Sequence, residues 1–227
     1  RLLALPDPTP SEPVTLALRR VRRARPARPR QARGLTRDFL ARFIAVQPDT
    51  AWGLRNKAML SLGYDLLARR SELVALETGD LTWRPDGTLR VLIRRAKNDP
   101  FGDGRLAFSS RRSVELVDRW LDYRGLAFGP LFCPIYHGKP LAKSLSTTTV
   151  KRVIKSAALE AGLDPSVAET FSGHSLRIGA AQDLRALGHD TATIMRAGGW
   201  KSVAVLVRYL EHAEANPWLA GDSSRLR

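Results

Sequence analysis

The chain has 227 residues, of which 37 are Lys or Arg and 22 are Asp or Glu, so the formal net charge is +15. This length allows one full domain with a sizeable core, or one domain and a remnant of another. A hydrophobic fraction of 44% argues against wholesale disorder. No apolar run is long enough to span a membrane, and the single cysteine, Cys133, excludes a disulfide framework and a multi-thiolate metal site. The positive charge indicates a polyanionic partner, with nucleic acid as the leading candidate.

The N-terminal segment carries the densest positive charge. Residues 1–13 are rich in proline and are predicted to be irregular, whereas residues 14–25 have helical spacing and predict a short helix before a basic linker. Between residues 19 and 33 there are eight arginines and no acidic residue. Guanidinium groups match phosphate oxygens, so the tract is predicted to lie on duplex DNA; the alternative is a solvated linker that only raises solubility. The DNA contacts are assigned to Arg19, Arg20, Arg22, Arg23, Arg30 and Arg33.

The remaining chain is predicted to be mainly α with a small β insert. Helices are predicted over residues 36–48, 50–68, 71–76, 113–121, 150–157, 174–187, 191–197 and 202–210. Between these, residues 81–83, 89–93 and 106–108 have strand character, and residues 98–104 form a glycine-containing hairpin tip. The predicted fold class is therefore α+β, with one three-stranded antiparallel sheet.

Four separated features carry candidate chemistry. They are the basic pair Arg69-Arg70 followed by Glu72; Lys97 before the hairpin tip; His174 and Arg177; and Gly198-Gly199-Trp200 with Tyr209 downstream. The i, i+3 spacing of His174 and Arg177 places both on one helix face. A half-buried tyrosine, a satisfied histidine and a core tryptophan are the ordinary interpretations of these residues taken one by one.

Attack on a phosphodiester without a metal requires a nucleophile in line and fixed donors for the nonbridging oxygens. Arg69 and Arg177 are the candidate donors, because each guanidinium makes two hydrogen bonds and keeps its proton. Tyr209 is a competent nucleophile, and Lys97 on a hairpin is a candidate acid for the leaving oxygen. The supporting candidates are His174, for the phosphate or the tyrosine proton, and the indole N–H of Trp200.

In this order, the residues resemble the tyrosine recombinase (phage integrase) family. The family pattern Arg–Lys–His-x-x-Arg–His/Trp–Tyr falls on Arg69, Lys97, His174, Arg177, Trp200 and Tyr209. Segments 173–181 and 194–200 are similar to the boxes around the family's second arginine and its His/Trp position, and the resemblance extends from about Val14 to Leu219. It implies the tyrosine recombinase catalytic-domain fold over residues 34–227. Residues 1–33 are then the remnant of an N-terminal core-binding domain with its linker, and the chain, which begins with Arg, is expected to be a fragment.

The resemblance also implies a function and a role for each site residue. Arg69 and Arg177 clamp the scissile phosphate, Lys97 protonates the departing 5′-oxygen, and Tyr209 forms a 3′-phosphotyrosine. His174 and Trp200 support the phosphate, and Glu72 braces the site. The implied protein is a site-specific DNA recombinase or integrase that uses no metal, ATP or other cofactor.

The implied partner is a duplex DNA recombination site. On it the protein is expected to form a homotetramer with exchange of C-terminal tails, and to be a monomer without DNA. No membrane association is implied. The expected location is the bacterial cytoplasm, at the nucleoid, for a protein encoded by a bacterium or a phage.

Several alternatives stay open at this point. Arg70 competes with Arg69, whose spacing to Glu72 fits the family, and Arg94 and Arg95 compete with Lys97. The apolar cluster Pro217-Trp218-Leu219 docks either on a neighbouring subunit or in cis. A type IB topoisomerase-like or telomere-resolving activity would use much the same residues, and a DNA-binding regulator with a vestigial pocket would bind without cleaving.

Overall fold

The computed structural model describes residues 7, 9, 11–24, 31–94 and 104–211. The chain divides into two compact units, residues 1–31 and residues 32–227. In the first unit, helix α1 spans Glu12–Ala24, which confirms the predicted short helix and starts it two residues earlier. Arg19, Arg20 and Arg23 are exposed on this helix. Arg22 also lies on α1, whereas Arg30 lies outside the described residues.

The second unit contains helices and two small sheets. Its helices are α2 (Arg37–Ala45), α3 (Ala51–Asp65), α4 (Arg70–Val74), α5 (Arg111–Arg124), α6 (Thr147–Glu160), α7 (Pro165–Thr170), α8 (Ser175–Ala186), α9 (Thr191–Gly198) and α10 (Val203–Leu210). Its strands are β1 (Leu81–Trp83), β2 (Leu89–Ile93), β3 (Arg105–Phe108), β4 (Ile135–Tyr136) and β5 (Lys139–Pro140), and a 3₁₀ turn spans Thr78–Asp80. The predicted class, mainly α with a small three-stranded antiparallel sheet, is confirmed.

Side-chain caps set where several helices begin. The hydroxyl of Thr50 accepts from Gly53 N at 3.3 Å before α3, and Ser110 accepts from Ser113 N at 3.3 Å before α5. Asp190 accepts from Thr193 N at 2.8 Å before α9. Each cap satisfies a backbone N–H that has no partner inside its helix, so these polar residues fix the first turn.

The three-stranded sheet has the order β1-β2-β3 and is antiparallel throughout. Val91 on the central strand pairs with Leu81 and with Ala107. Strand β2 alternates buried and exposed residues along its length, so Leu89, Val91 and Ile93 face the core. The hairpin tip predicted over residues 98–104 lies outside the described residues except for Gly104.

Two separate hydrophobic clusters hold the second unit together. The larger one surrounds α3 and includes Phe43, Leu62, Trp120 and Phe171. The smaller one joins the end of α3 to α8, α9 and α10 and contains Leu67, Ala180, Ala181, Ile194, Trp200 and Leu206, with Tyr209 packed against it. The candidate nucleophile therefore belongs to a small satellite core rather than to the main one.

Two kinds of feature are absent from the described residues. No helix among them is long and apolar enough to cross a membrane. No group of three or more His, Cys, Asp or Glu side chains in this part of the chain is arranged to hold a metal ion.

Candidate active site

Arg177 lies at the centre of the candidate site. It stands on α8, only 1% of the residue is exposed, and its Nη1 donates to Leu67 O at 2.6 Å and to Gly198 O at 2.8 Å. Its Nε and Nη2 are buried, and neither has a hydrogen-bond partner among the described residues. Burial lowers the pKa of the Arg177 guanidinium, and the neighbouring charge of Arg69 lowers it further. Because buried donors are normally paired, the two unpaired nitrogens indicate a place for an external acceptor.

A left-handed residue positions the carbonyl that holds Arg177. Leu67 has φ +46° at the junction of α3 and α4, a conformation that is uncommon for a residue other than glycine. Its side chain is buried in the smaller cluster, which compensates for the strained backbone. The preceding carbonyl, Leu66 O, accepts from Arg105 Nη2 at 2.8 Å. The junction therefore directs two successive carbonyls at two arginines.

Arg69 is the N-cap residue of α4 and pairs with Glu72 one turn later. Its Nη1 donates to Glu72 Oε1, and its backbone N–H donates to Glu72 Oε2 at 3.0 Å. Glu72 is 3% exposed, so a buried carboxylate fixes the guanidinium. Arg70 is exposed and packs against Gly173, with no described bond to Glu72. The geometry therefore favours Arg69 over Arg70 as the clamp residue.

Arg105 is a site residue that the sequence analysis missed. It begins β3, and its Nη1 donates to Ala197 O at 2.7 Å while its Nη2 donates to Leu66 O and lies 3.4 Å from Glu72 Oε2. It therefore ties the sheet to the α3–α4 junction and to the end of α9. The strand alternation is the feature that could have indicated Arg105. It lies on the same strand face as buried Ala107, and a basic residue on a face that packs against the core needs hydrogen-bond partners.

Trp200 connects Arg177 to Tyr209. The Arg177 guanidinium carbon lies 3.7 Å from the centroid of the indole ring, and the ring of Tyr209 meets the indole at 5.5 Å and 68°. The preceding Gly199 ends α9 with φ +66°. A Cβ on Gly198 would lie 1.9 Å from the Trp200 ring, so the close approach of the indole requires glycine at position 198, whereas the positive φ favours glycine at position 199.

Gln182 holds the backbone of the candidate nucleophile. This buried residue of α8 donates from Nε2 to Tyr209 O at 3.2 Å. Tyr209 itself is half-buried near the end of α10, where Leu206 anchors the helix in the smaller cluster. The helix that carries the tyrosine is thus attached to α8 by one hydrogen bond and a few apolar contacts.

His174 lies among guanidinium groups at the start of α8. The partial removal of its imidazole from bulk water lowers the pKa of His174, and repulsion from Arg70, Arg177 and Arg69 lowers it further, although much of the residue remains accessible. The ring is therefore neutral at pH 7 and can accept a proton. Of the predicted catalytic residues, the structure brings Arg69, His174, Arg177, Trp200 and Tyr209 together with Glu72.

Other predicted positions include residues that the structure does not describe. Lys97 and its competitor Arg95 fall outside the described residues, as does the cluster Pro217-Trp218-Leu219. Arg94 is described: it pairs with Asp80, which raises the pKa of the Arg94 guanidinium and makes it a poor proton donor. Arg33 is exposed and lies 5.1 Å from the centroid of the Phe39 ring.

Known proteins resemble this chain in sequence. It is 36% identical over 166 residues to an integrase/recombinase xerD homolog of Selenomonas ruminantium, covering 70% of this chain and 48% of that protein. It is 29% identical over 231 residues to the recombinase cre of Escherichia phage P1, covering 95% of this chain and 67% of that protein. The chain thus spans about half of the first relative and two thirds of the second.

Solved structures share the fold. The chain resembles the XerH site-specific recombinase bound to a palindromic difH substrate, with a TM-score of 0.67, 19% identity and coverage of 83% of this chain and 52% of that one. It also resembles the XerA recombinase, with a TM-score of 0.66, 21% identity and coverage of 89% and 67%. These similarities confirm the predicted fold. Residues 33–216 match the family model described as the phage integrase family, and the chain therefore belongs to that family.

Proposed function

We propose that this chain is the catalytic domain of a site-specific recombinase or integrase that breaks and rejoins duplex DNA through a covalent 3′-phosphotyrosine. The observation that carries the proposal is the pair of unpaired buried donors on Arg177, which lies next to Arg69 and is joined through Trp200 to Tyr209. Two guanidiniums beside a phenol are the arrangement that an in-line attack on a phosphodiester needs.

The bond changes in this proposal balance without a cofactor. The Tyr209 oxygen bonds to phosphorus as the bond from phosphorus to the 5′-oxygen breaks, so one phosphodiester replaces another. Arg69 and Arg177 hold the nonbridging oxygens, where negative charge accumulates. The neutral imidazole of His174 takes the phenolic proton, and Lys97 gives a proton to the leaving 5′-oxygen. Rejoining is the same step in reverse, with a 5′-hydroxyl as the nucleophile.

Lys97 is retained as the general acid on two grounds. The family pattern assigns this role to a lysine on the β2–β3 hairpin, and Lys97 lies in that connection. Its described competitor, Arg94, is held by Asp80 and keeps its proton more tightly than an isolated arginine. An ammonium also releases a proton far more readily than a guanidinium does.

We further propose duplex DNA as the partner of this chain. Similar solved structures include the XerH site-specific recombinase bound to a difH substrate and the Tn1549 transposon integrase in complex with a circular intermediate DNA. In this chain, α1 presents exposed arginines without an acidic neighbour after Glu12. We assign residues 1–33 to the end of a core-binding domain and its linker, and residues 34–227 to the catalytic domain. On a recombination site we expect four copies that exchange C-terminal tails, and off DNA a monomer. The relatives come from bacteria and a phage, so we place its action at the nucleoid in a bacterial cytoplasm.

The decisive experiment replaces Tyr209 with Phe. A suicide duplex, nicked so that the cleaved end diffuses away, should trap wild-type protein as a covalent adduct on a denaturing gel. Tyr209→Phe should bind the same duplex with similar affinity and form no adduct. An adduct that persists in the variant would remove Tyr209 from the mechanism, and duplex binding without any adduct in wild-type protein would point to a non-catalytic regulator.

A further inference from the structure

A polar cavity in the second unit is lined by residues outside the candidate active site. It has a volume of about 560 Å³ and opens between the start of α3, the Pro134–Ile135 segment and one side of α6. The polar side chains that line it include Arg55, Asn56, Ser146, Thr149, Arg152 and Ser156. None of the predicted catalytic residues belongs to its lining.

Arg55 is the buried charge of this cavity. Only 5% of the residue is exposed, and its recorded partners are neutral: Nη1 donates to Cys133 O at 3.3 Å, and Nε and Nη2 donate to Asn56 Oδ1 at 3.2 and 2.9 Å. Within the described part of the chain, no carboxylate lies at ion-pair distance from it. These bonds occupy three of the five guanidinium N–H donors, so two remain. A buried arginine without a counter-ion is costly, because its desolvation is not repaid.

A second arginine approaches the same cavity from α6. Arg152 is exposed, its Nη2 donates to Thr149 Oγ1 at 3.2 Å, and the described residues offer it no acidic partner. Burial lowers the pKa of the Arg55 guanidinium, and the positive charge of Arg152 lowers it further. The acid at the rim, Glu160, accepts from the Ser156 hydroxyl at 2.7 Å and pairs with neither arginine. Two like charges therefore share one cavity, and the carboxylate at its rim is paired with neither of them.

The side chain of Arg55 is held in place before any ligand arrives. Asn56, which receives two of its N–H groups, donates in turn from Nδ2 to Gln47 Oε1 at 2.9 Å, and Gln47 Nε2 donates to Phe43 O at 3.3 Å. This chain of bonds fixes the acceptor that orients the guanidinium. Such support by outer partners is typical of a binding group that is positioned in advance.

We infer that this cavity binds a phosphate group between Arg55 and Arg152. Each guanidinium fork matches two phosphate oxygens, and the hydroxyls of Ser146 and Thr149 supply neutral donors at the start of a helix whose first turn contains no acid. A carboxylate holds its two acceptor oxygens in one plane, whereas the oxygens of a tetrahedral phosphate point in different directions and can meet donors that converge from α3 and α6. The phosphate belongs either to a DNA backbone or to a free phosphate ester. The inference does not depend on cleavage by Tyr209.

Trp52 makes the inference testable, because it lines the same cavity. Inorganic phosphate is titrated at constant ionic strength while tryptophan fluorescence is followed, and Trp52→Phe identifies the part of the signal that comes from the cavity. We expect a saturable change in wild-type protein and an affinity about tenfold lower in Arg152→Gln, the effect of losing one charged hydrogen bond. The matched control is Lys151→Gln, which removes an equal charge from the adjacent residue of α6 outside the cavity lining and should titrate like wild type.

A duplex arm distinguishes the two sources of phosphate. It uses Tyr209→Phe protein, so that cleavage cannot interfere. If DNA supplies the phosphate, bound duplex abolishes the response of Trp52 to free phosphate, and Arg152→Gln reduces the slope of log affinity against log salt by about one. If a free phosphate ester is the ligand, phosphate titrates equally with and without duplex. The inference is overturned if neither probe changes the Trp52 signal, or if Arg152→Gln matches wild type with both; covalent attachment by Tyr209 is measured separately and would stand.

Discussion

The guanidinium of Arg177 and the indole of Trp200 are in face contact, 3.7 Å from guanidinium carbon to ring centroid. A desolvated cation–π contact of this kind contributes about 2 kcal/mol. The ring of Tyr209 also contacts this indole, so one side chain sets the spacing between the proposed phosphate clamp and the proposed nucleophile. The family position that accepts either His or Trp therefore has a mechanical role in this chain, beyond any hydrogen bond from the indole N–H.

Gly198→Ala should disable the site through Trp200. The added Cβ would lie 1.9 Å from the indole ring, so the ring or the end of α9 has to move, and Gly198 O would shift from Arg177 Nη1. We expect a loss of about 1–3 kcal/mol in the free energy of unfolding. Covalent adduct formation should fall by at least tenfold even at temperatures where the variant is fully folded.

The control for this substitution is Gly79→Ala, where the nearest neighbouring atom lies 4.0 Å from an added Cβ. Chemical denaturation and suicide-substrate assays on both variants check the expectation. Equal behaviour of Gly198→Ala and Gly79→Ala would show that the indole is not held as the contacts indicate.

Arg105→Met should leave DNA binding nearly intact and slow cleavage. The change leaves Leu66 O and Ala197 O without their donor, at a cost of about 1–3 kcal/mol for each buried acceptor, and frees Glu72 from one of its two arginines. Because Glu72 also holds Arg69, the clamp should loosen. Adduct formation at saturating duplex separates this effect from binding.

Two companion variants sharpen the test of Arg105. Arg105→Lys keeps the charge opposite Glu72 but cannot reach both carbonyls, so it should recover only part of the cleavage rate. Arg90→Met removes an exposed arginine from the neighbouring strand and should behave like wild type. Full activity of Arg105→Met would reduce Arg105 to a packing role.

The pH dependence of stability should report the environment of His174. Its pKa in the folded protein lies below the ordinary value of 6.5, so the unfolded chain takes up the proton first as the solution is acidified. The free energy of unfolding of wild type should therefore fall, relative to His174→Gln, as the pH decreases through 6.5 toward the lower folded value, and the difference should be constant above that window. Denaturation curves at a series of pH values give the comparison. Parallel curves would mean that burial and the neighbouring guanidiniums do not lower the pKa of His174.

Lys97→Ala should slow cleavage of ordinary DNA and spare a substrate whose leaving group needs no proton. A 5′-thiolate leaves readily without an acid, so replacing the bridging 5′-oxygen with sulfur should restore the rate. Single-turnover cleavage of both substrates by wild type and variant provides the measurement. If sulfur does not rescue the variant, the acid is Arg95 or another group.

The sequence predicts most of the fold because its periodic hydrophobic patterns and its helix-capping residues indicate the same element boundaries. Helix α3 begins at the capping Thr50, and β2 alternates as its sequence does. The ribbon of β4 and β5 was not predicted, since it has only two residue pairs around His137 and Gly138. Helix α7 was also missed, although Asp164 followed by proline is a helix start signal. With six residues, the helix is too short to show a clear apolar periodicity.

Only those residues of the candidate site whose order along the chain matches the family pattern could be predicted from the sequence. The positions of Arg69, Arg177 and Tyr209 follow from their order along the chain, whereas the role of Arg105 depends on which way a strand faces. In β3 the large apolar residues Leu106 and Phe108 face solvent, whereas Arg105 faces inward. A prediction from hydrophobicity alone would therefore assign the wrong face of this strand to the core. Gln182 gives no signal at all, because only the packing of α8 against α10 places it near the Tyr209 carbonyl.

The unmet donors of Arg177 have a consequence for the empty protein. Two buried nitrogens of this guanidinium have no partner among the described residues, so under the proposed function the substrate, and not the chain itself, completes their hydrogen bonds. A bound phosphodiester should raise the melting temperature, because it stabilises the folded state alone. Selection for thermal robustness and selection for strand cleavage therefore act in opposite directions at this one position.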